Sequence, residues 1–263
     1  MRDLHNLKAV ALAAAYRGGG FIKSRLARTR RIAHKGDIDL VTEADLGAEK
    51  RIIDTLQACC PNHAILSEEK GVIEGSDAYQ WIIDPLDGTT NFAHGLTTCC
   101  VSIALMESGQ PLIGIVLSPF TNELFSAVRG QGAFLNGRRL SVSEVDRIKD
   151  SLLVTGFAYE VDDIMLPVLE RLRSCLEASQ GIRRLGSAAL DLCYVAAGRF
   201  EAFWEERLYP WDVAAGQLIV TEAGGAVTDF EKQPFTHEMK SILASNGRIH
   251  DEMLALLALK GTG

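Results

Sequence analysis

The stretch WIIDPLDGTTNFAHG, residues 81–95, carries the reading from which the rest of the chain follows. Trp81, Ile82 and Ile83 form a short apolar run of the kind a buried strand makes, and it ends abruptly in two carboxylates, Asp84 and Asp87. Pro85 between them fixes the local backbone, and Gly88 adds turn chemistry. Thr89, Thr90 and Asn91 then supply small polar side chains at the start of a new helix, whose first N–H groups have no partner within the helix. Acids delivered by a strand to a helix start bring cation ligands beside anion-binding N–H groups, the pairing that metal-dependent phosphate chemistry needs.

Taken alone, either acid is an ordinary turn residue where a strand stops. A second alternative, the aspartyl-phosphate mechanism of the haloacid dehalogenase class, places one residue between its two acids. Here Pro85 and Leu86 both intervene, and counting back from Asp87 puts the nucleophile position on Pro85, which rules that mechanism out. Further acids in similar settings favour the metal reading. LVTEAD (40–45) sets Asp45 near the start of a helix, ILSEE (65–69) ends an apolar run in Glu68 and Glu69, and PWD (210–212) puts Asp212 in a first helical turn behind Pro210. If Asp45, Glu68, Asp84, Asp87 and Asp212 converge, they demand cations. Two carboxylates about 4 Å apart repel by roughly 4 kcal/mol even at an effective dielectric near 20. Oxygen donors with few His or Cys nearby suit Mg²⁺ rather than Zn²⁺.

At these residues the chain resembles the inositol monophosphatase family, within the lithium-sensitive, magnesium-dependent phosphatases. The resemblance rests on LVTEAD (40–45), SEEKG (67–71), WIIDPLDGTTNFAHG (81–95), RRLGSAALDLCYVAAGR (183–199) and PWDVAAGQLIVTEAGG (210–225), and runs in order across most of the chain. It implies two or three Mg²⁺ ions. Glu68, Asp84 and the main-chain carbonyl of Leu86 would hold the first; Asp84 would bridge to a second completed by Asp87 and Asp212. Thr89 paired with Asp45 would orient and deprotonate the attacking water, with Glu68 counted among the catalytic groups. Gly88 and Thr89 would present N–H groups to the phosphate. Asp87, Asp212, the Gly186-Ser187-Ala188 turn and Glu205 would meet the substrate, and Lys35 would lie in a flap that closes the metal site.

The same resemblance implies myo-inositol 1-phosphate as substrate, because DGTTNF lacks the Lys that follows Gly-Thr in the phosphoadenosine phosphatase branch. Sugar phosphates, fructose 1,6-bisphosphate, histidinol phosphate and NADP are the alternatives. It also implies a homodimer. From another functional class comes a partner role in transcription antitermination and ribosomal RNA maturation.

The formal net charge of −7 disfavours nonspecific binding to nucleic-acid phosphates, and Lys23, Arg25, Arg28, Arg30 and Arg31 read as a solvated helix face leading into a loop. With 263 residues and 47% hydrophobic content, the chain buries a sizeable core, whether as one domain or as two intimate halves dividing near residue 150. No apolar run approaches a membrane span, and the six cysteines match no zinc or redox spacing, so a cytoplasmic enzyme with reduced thiols is expected. Periodicity predicts helices near 4–28, 43–59, 163–178, 187–198, 211–223 and 248–259. Strands are predicted near 64–67, 80–84, 99–106, 112–117, 123–127, 152–155, 200–204 and 242–245. Gly18-Gly19-Gly20 inside the first helix signals either close packing or a break. Grouped strands between helical blocks give an α+β class. The resemblance sharpens it to a layered α-β-α-β-α sandwich, inositol monophosphatase/fructose-1,6-bisphosphatase-like.

Overall fold

The computed structural model describes residues 4–26, 32–34, 40–76, 78–158, 164–236 and 239–259. Its helices are α1 (Leu4–Arg25), α2 (Glu43–Cys59), α3 (Thr89–Ala93), α4 (Met165–Ala178), α5 (Ala188–Ala196), α6 (Pro210–Glu222) and α7 (His250–Leu257). An eight-stranded sheet runs in the order 138–139, 132–135, 123–128, 110–118, 100–107, 79–87, 64–67, 71–73. Every neighbouring pair in it is antiparallel except 64–67 with 79–87. A five-stranded sheet runs 181–183, 152–155, 202–206, 241–245, 226–228, and a short antiparallel pair joins 32–34 to 40–42.

The layering follows from which faces are apolar. α1 buries Leu7, Ala11, Ala14, Ala15, Gly18 and Ile22 at helical spacing, and with α2 it covers one face of the large sheet through Trp81, Ile83, Val101 and Ile103. The opposite face, carrying Ile82, Cys100 and Val116, packs on α5 and α6, which also meet Val154, Phe203 and Ala244 of the smaller sheet. α4 and α7 cover that sheet's outer side through Cys175, Ile249, Met253 and Leu257. The result is an α-β-α-β-α sandwich. The strand 79–87 is buried on both faces over its second half, as helices on either side require.

α1 runs unbroken through its three glycines. A Cβ on Gly18 would lie 2.7 Å from Ile52 of α2, and one on Gly19 would lie 3.0 Å from Leu117, so close packing explains the pair. Gly20 has open space beside it. The strands missed by periodicity are 32–34, 40–42, 71–73, 132–135, 138–139, 181–183 and 226–228, each of two to four residues and too short to show an alternation.

Gly114 ties α6 to the large sheet. A Cβ there would stand 2.7 Å from the main-chain oxygen of Ala215, a backbone contact that cannot rotate away. Gly114→Ala should therefore destabilise the fold by about 1–3 kcal/mol as the helix is pushed off the strand. A urea midpoint shift with an unchanged m-value checks it; an unaltered midpoint would contradict it.

Candidate active site

The acids are gathered by a break in strand pairing. Asp84 pairs with Ser102 and Asp87 with Cys100, so two residues on one strand stand opposite one on its neighbour. In a regular strand, residues three apart point to opposite faces; the extra residue turns Asp84 and Asp87 to the same face. That face is the one packed on α5 and α6, and both acids are buried.

Each aspartate in this group has one oxygen held by protein donors. The amide of Leu86 donates to Asp84 Oδ1 at 2.9 Å. Ser187 Oγ and the amide of Ala189, at the start of α5, donate to Asp87 Oδ2 at 2.6 and 2.8 Å. The amide of Tyr209 donates to Asp212 Oδ2 at 2.7 Å, where Pro210 begins α6. Glu68 follows the strand 64–67, whose end is tied to α2 because Ser67 Oγ and the amide of Lys70 both donate to the buried Glu49 Oε1, at 2.6 and 2.8 Å. Thr89 Oγ1 lies 3.0 Å from both Asp45 Oδ1, in the first turn of α2, and the carbonyl of Leu86, with its single proton available to one of them at a time. Gly88, the cap residue of α3, has φ +93°, and a Cβ there would meet the Thr98 carbonyl at 2.8 Å.

Glu68, Asp84, Asp87, Thr89, Glu205 and Asp212 share the lining of one cleft of about 260 Å³, together with Leu86, Gly88 and the Gly186-Ser187-Ala188 turn. Asp45 reaches it through Thr89. Burial holds the Asp84 carboxyl well above the usual range, and Glu68, Asp87, Asp212 and Asp45 push it further. Burial likewise raises Asp212, with Asp87 adding to it and the Tyr209 amide opposing. Asp87 is raised by burial against the pull of its donors. These oxygen donors fit a hard divalent cation, which would relieve the repulsion that raises them. Among the described residues, no three acidic, His or Cys side chains stand in a closed ligating group.

A profile of the inositol monophosphatase family matches residues 3–260. The chain belongs to the inositol monophosphatase family. It is 44% identical over 258 residues to the inositol-1-monophosphatase of Synechocystis, covering 97% of this chain and 90% of that protein. It is 45% identical over 255 residues to the Nus factor SuhB of Pseudomonas aeruginosa, covering 94% of each. The crystal structure of the extragenic suppressor protein suhB from Bartonella henselae superposes with a TM-score of 0.94 at 41% identity, covering 97% of this chain and 99% of that one. This inositol monophosphatase-family chain is thus a phosphatase with the family's layered α+β fold.

Lys35 lies outside the described residues, as do Arg28, Arg30 and Arg31. Lys23 and Arg25 close α1, with Lys23 Nζ 3.3 Å from Asn122 Oδ1 and the Arg25 guanidinium over Phe21. All six cysteines are free thiols, and all but Cys59 are buried. No helix among the described residues is long and apolar enough to cross a membrane. Sequence reading missed Glu49, Gly156, Arg184 and Asp191. Glu49 is one acid among several in α2, Gly156 belongs to no motif, and Arg184 and Asp191 stand in the RRLGSAALDLCYVAAGR segment with no role assigned to them from sequence. Gly156 leaves room for the Glu205 carboxyl where it stands: a Cβ there would overlap it and move it aside.

Burial pushes Glu205 up to about 8 from its ordinary 4.5, with Arg184 opposing the shift and Asp87 adding to it. A carboxyl raised in the fold stabilises the protein fully below its unfolded value, and that contribution is lost as pH rises towards 8. Glu205→Gln removes the titration. In chelator, the variant should melt above the parent at pH 8, with the difference shrinking towards pH 5. Parallel melting curves across that range would show Glu205 ionised without penalty.

Proposed function

We propose that this protein hydrolyses phosphate monoesters of small polyols, myo-inositol 1-phosphate first, with Mg²⁺ as its metal. The observation that carries this reading is the junction of Asp84, Asp87 and Asp212 with the Thr89–Asp45 pair on one small cleft. Glu68, Asp84, the Leu86 carbonyl, Asp87 and Asp212 would hold two or three ions, which supply Lewis-acid polarisation of the phosphoryl group and charge neutralisation. The protein's own part is placement. The Leu86, Ser187, Ala189 and Tyr209 donors fix one oxygen of each aspartate and so set where its other oxygen can reach. Gly88 and Thr89 offer helix-start N–H groups to phosphate oxygens. When Thr89 donates to Asp45, its own oxygen can accept from a water in the cleft, so the pair can hold that water and draw off its proton.

The Synechocystis relative's name supports the inositol ester, and sugar phosphates, fructose 1,6-bisphosphate, histidinol phosphate and NADP are the competing substrates. A second reading, contact with the transcription machinery, draws on the name of the P. aeruginosa relative. Retention of RNA polymerase by catalytically silent protein would support that role. With the phosphatase reading we also propose a cytoplasmic homodimer, with a solution mass twice the 28.6 kDa chain.

Phosphate release from these esters, with Mg²⁺ and after chelation, tests the main reading. Inositol 1-phosphate should show the highest kcat/KM, and chelation should abolish turnover. Asp84→Asn should remove turnover in a folded protein. Thr89→Ala should lower kcat by about 10²-fold or more with little change in KM, as loss of a proton-handling group does. Undiminished turnover by Asp84→Asn at saturating Mg²⁺ would defeat the metal assignment.

A further inference from the structure

Beyond the aspartates at the strand end, the cleft holds a second pair of buried carboxyls that behaves differently. Asp191, in α5, is 1% exposed and lines the cleft, and its Oδ1 is buried with no hydrogen-bond partner. Glu205 is 7% exposed and lines the same cleft. The metal-end aspartates each have an oxygen held by the protein, whereas among the described residues no protein group donates to either of these carboxyls. Buried polar groups in folded proteins are nearly always satisfied, so an orphan in the wall of a binding cleft points to a partner that arrives with the ligand.

The helix register brings Asp191 to the right place. It lies four residues after Ser187, whose carbonyl accepts its amide at 2.9 Å, and residues one turn apart share a face. One side of α5 therefore presents Ser187 to Asp87 and, a turn deeper, Asp191 to the end of the cleft where Glu205 stands. Two arginines, Arg184 and Arg207, line the cleft; Arg184 is the one that acts on Asp191, and its guanidinium lies over the Phe157 ring at 5.9 Å. Burial and the neighbouring Glu205 raise the Asp191 carboxyl well above its usual range, with Arg184 opposing. Carboxyls held towards neutrality at neutral pH suit uncharged donors better than another cation. Alcohol hydroxyls meet this need, because each can donate to one carboxyl and accept from Arg184 or from the protonated partner.

We propose that Asp191 is a specificity-determining residue: beside Glu205, its carboxyl takes up a second hydroxyl of the leaving group, so the site selects phosphate esters of vicinal polyols over esters lacking hydroxyls. This rests on the phosphatase reading of the cleft. A site that bonds a substrate hydroxyl rejects the analogue without it, because its own polar groups are then left unsatisfied.

The test compares kcat/KM for inositol 1-phosphate and for cyclohexyl phosphate, with Mg²⁺, in the parent enzyme, Asp191→Leu and Asp191→Asn. Leu replaces a carboxyl that makes no internal hydrogen bond with an apolar group of similar size, so the variant should melt no lower than the parent. The ratio of the two kcat/KM values should fall about ten-fold or more in Asp191→Leu, chiefly through KM for the inositol ester, and recover in part in Asp191→Asn. A ratio within two-fold of the parent's, or an equal fall on both esters, overturns the inference while leaving the phosphatase reading intact. A parent enzyme that cleaves neither ester overturns both. If Asp191→Leu does not fold, the Asn variant carries the test: the ratio must fall at least three-fold, and a smaller change counts against Asp191.

Discussion

The break in pairing between residues 84 and 87 is the constraint on which the site depends. Two acids three apart on a regular strand would point to opposite sides of the sheet, one into the α1/α2 layer and one towards α5 and α6. Pro85, which has no N–H for the ladder, and Leu86 take up the extra residue, and both carboxylates turn to the inner face. Once they face inward, the starts of α5 and α6 lie beside them, and Asp212 and the Ser187 turn join the same cleft. The helix starts also supply amides, those of Ala189 and Tyr209, that hold one oxygen of Asp87 and of Asp212 in place, while the Leu86 amide of the strand holds Asp84.

Burial and charge work against each other at this point. Folding buries Asp84 and Asp87 and half-buries Asp212 beside them; burial raises the affinity of all three for protons, and repulsion from the neighbouring acids adds to it at Asp84 and Asp212. Protons or cations must therefore occupy the site, and near neutral pH a hard divalent ion competes well with protons. Affinity for a cation is the direct consequence of gathering these side chains in a low-dielectric interior. The Glu205–Asp191 end of the cleft solves the same problem without protein donors, and the difference separates a region suited to metal and phosphate from one suited to hydroxyl groups.

Much of the architecture was legible beforehand because its signals are local. α1, α2, α4, α5, α6 and α7 appear within a few residues of where apolar periodicity and caps place them, and the central strands stand where apolar runs end in turn residues. The short strands 71–73, 181–183 and 226–228 were not legible, because three residues carry no period and are held by pairing with neighbours distant in sequence. Gly18 and Gly19 were ambiguous for the same reason: whether a glycine run breaks a helix or lets another element approach depends on what Ile52 and Leu117 do.

By itself the sequence determined the chemistry available: acids after Ile83, in the first turns of α2 and α6 and after Ser67, a hydroxyl at Thr89, and oxygen ligands with few nitrogen or sulfur competitors. Residue type and local spacing are one-dimensional properties, so they survive without a fold. Only the tertiary structure decided which acids share a cleft, that Glu49 anchors the approach to Glu68, that Gly156 leaves the space the Glu205 carboxyl occupies, and that Asp191 Oδ1 is buried without a hydrogen-bond partner. Those facts concern distance and solvation between residues far apart in the chain, and they come into being only when the layers close.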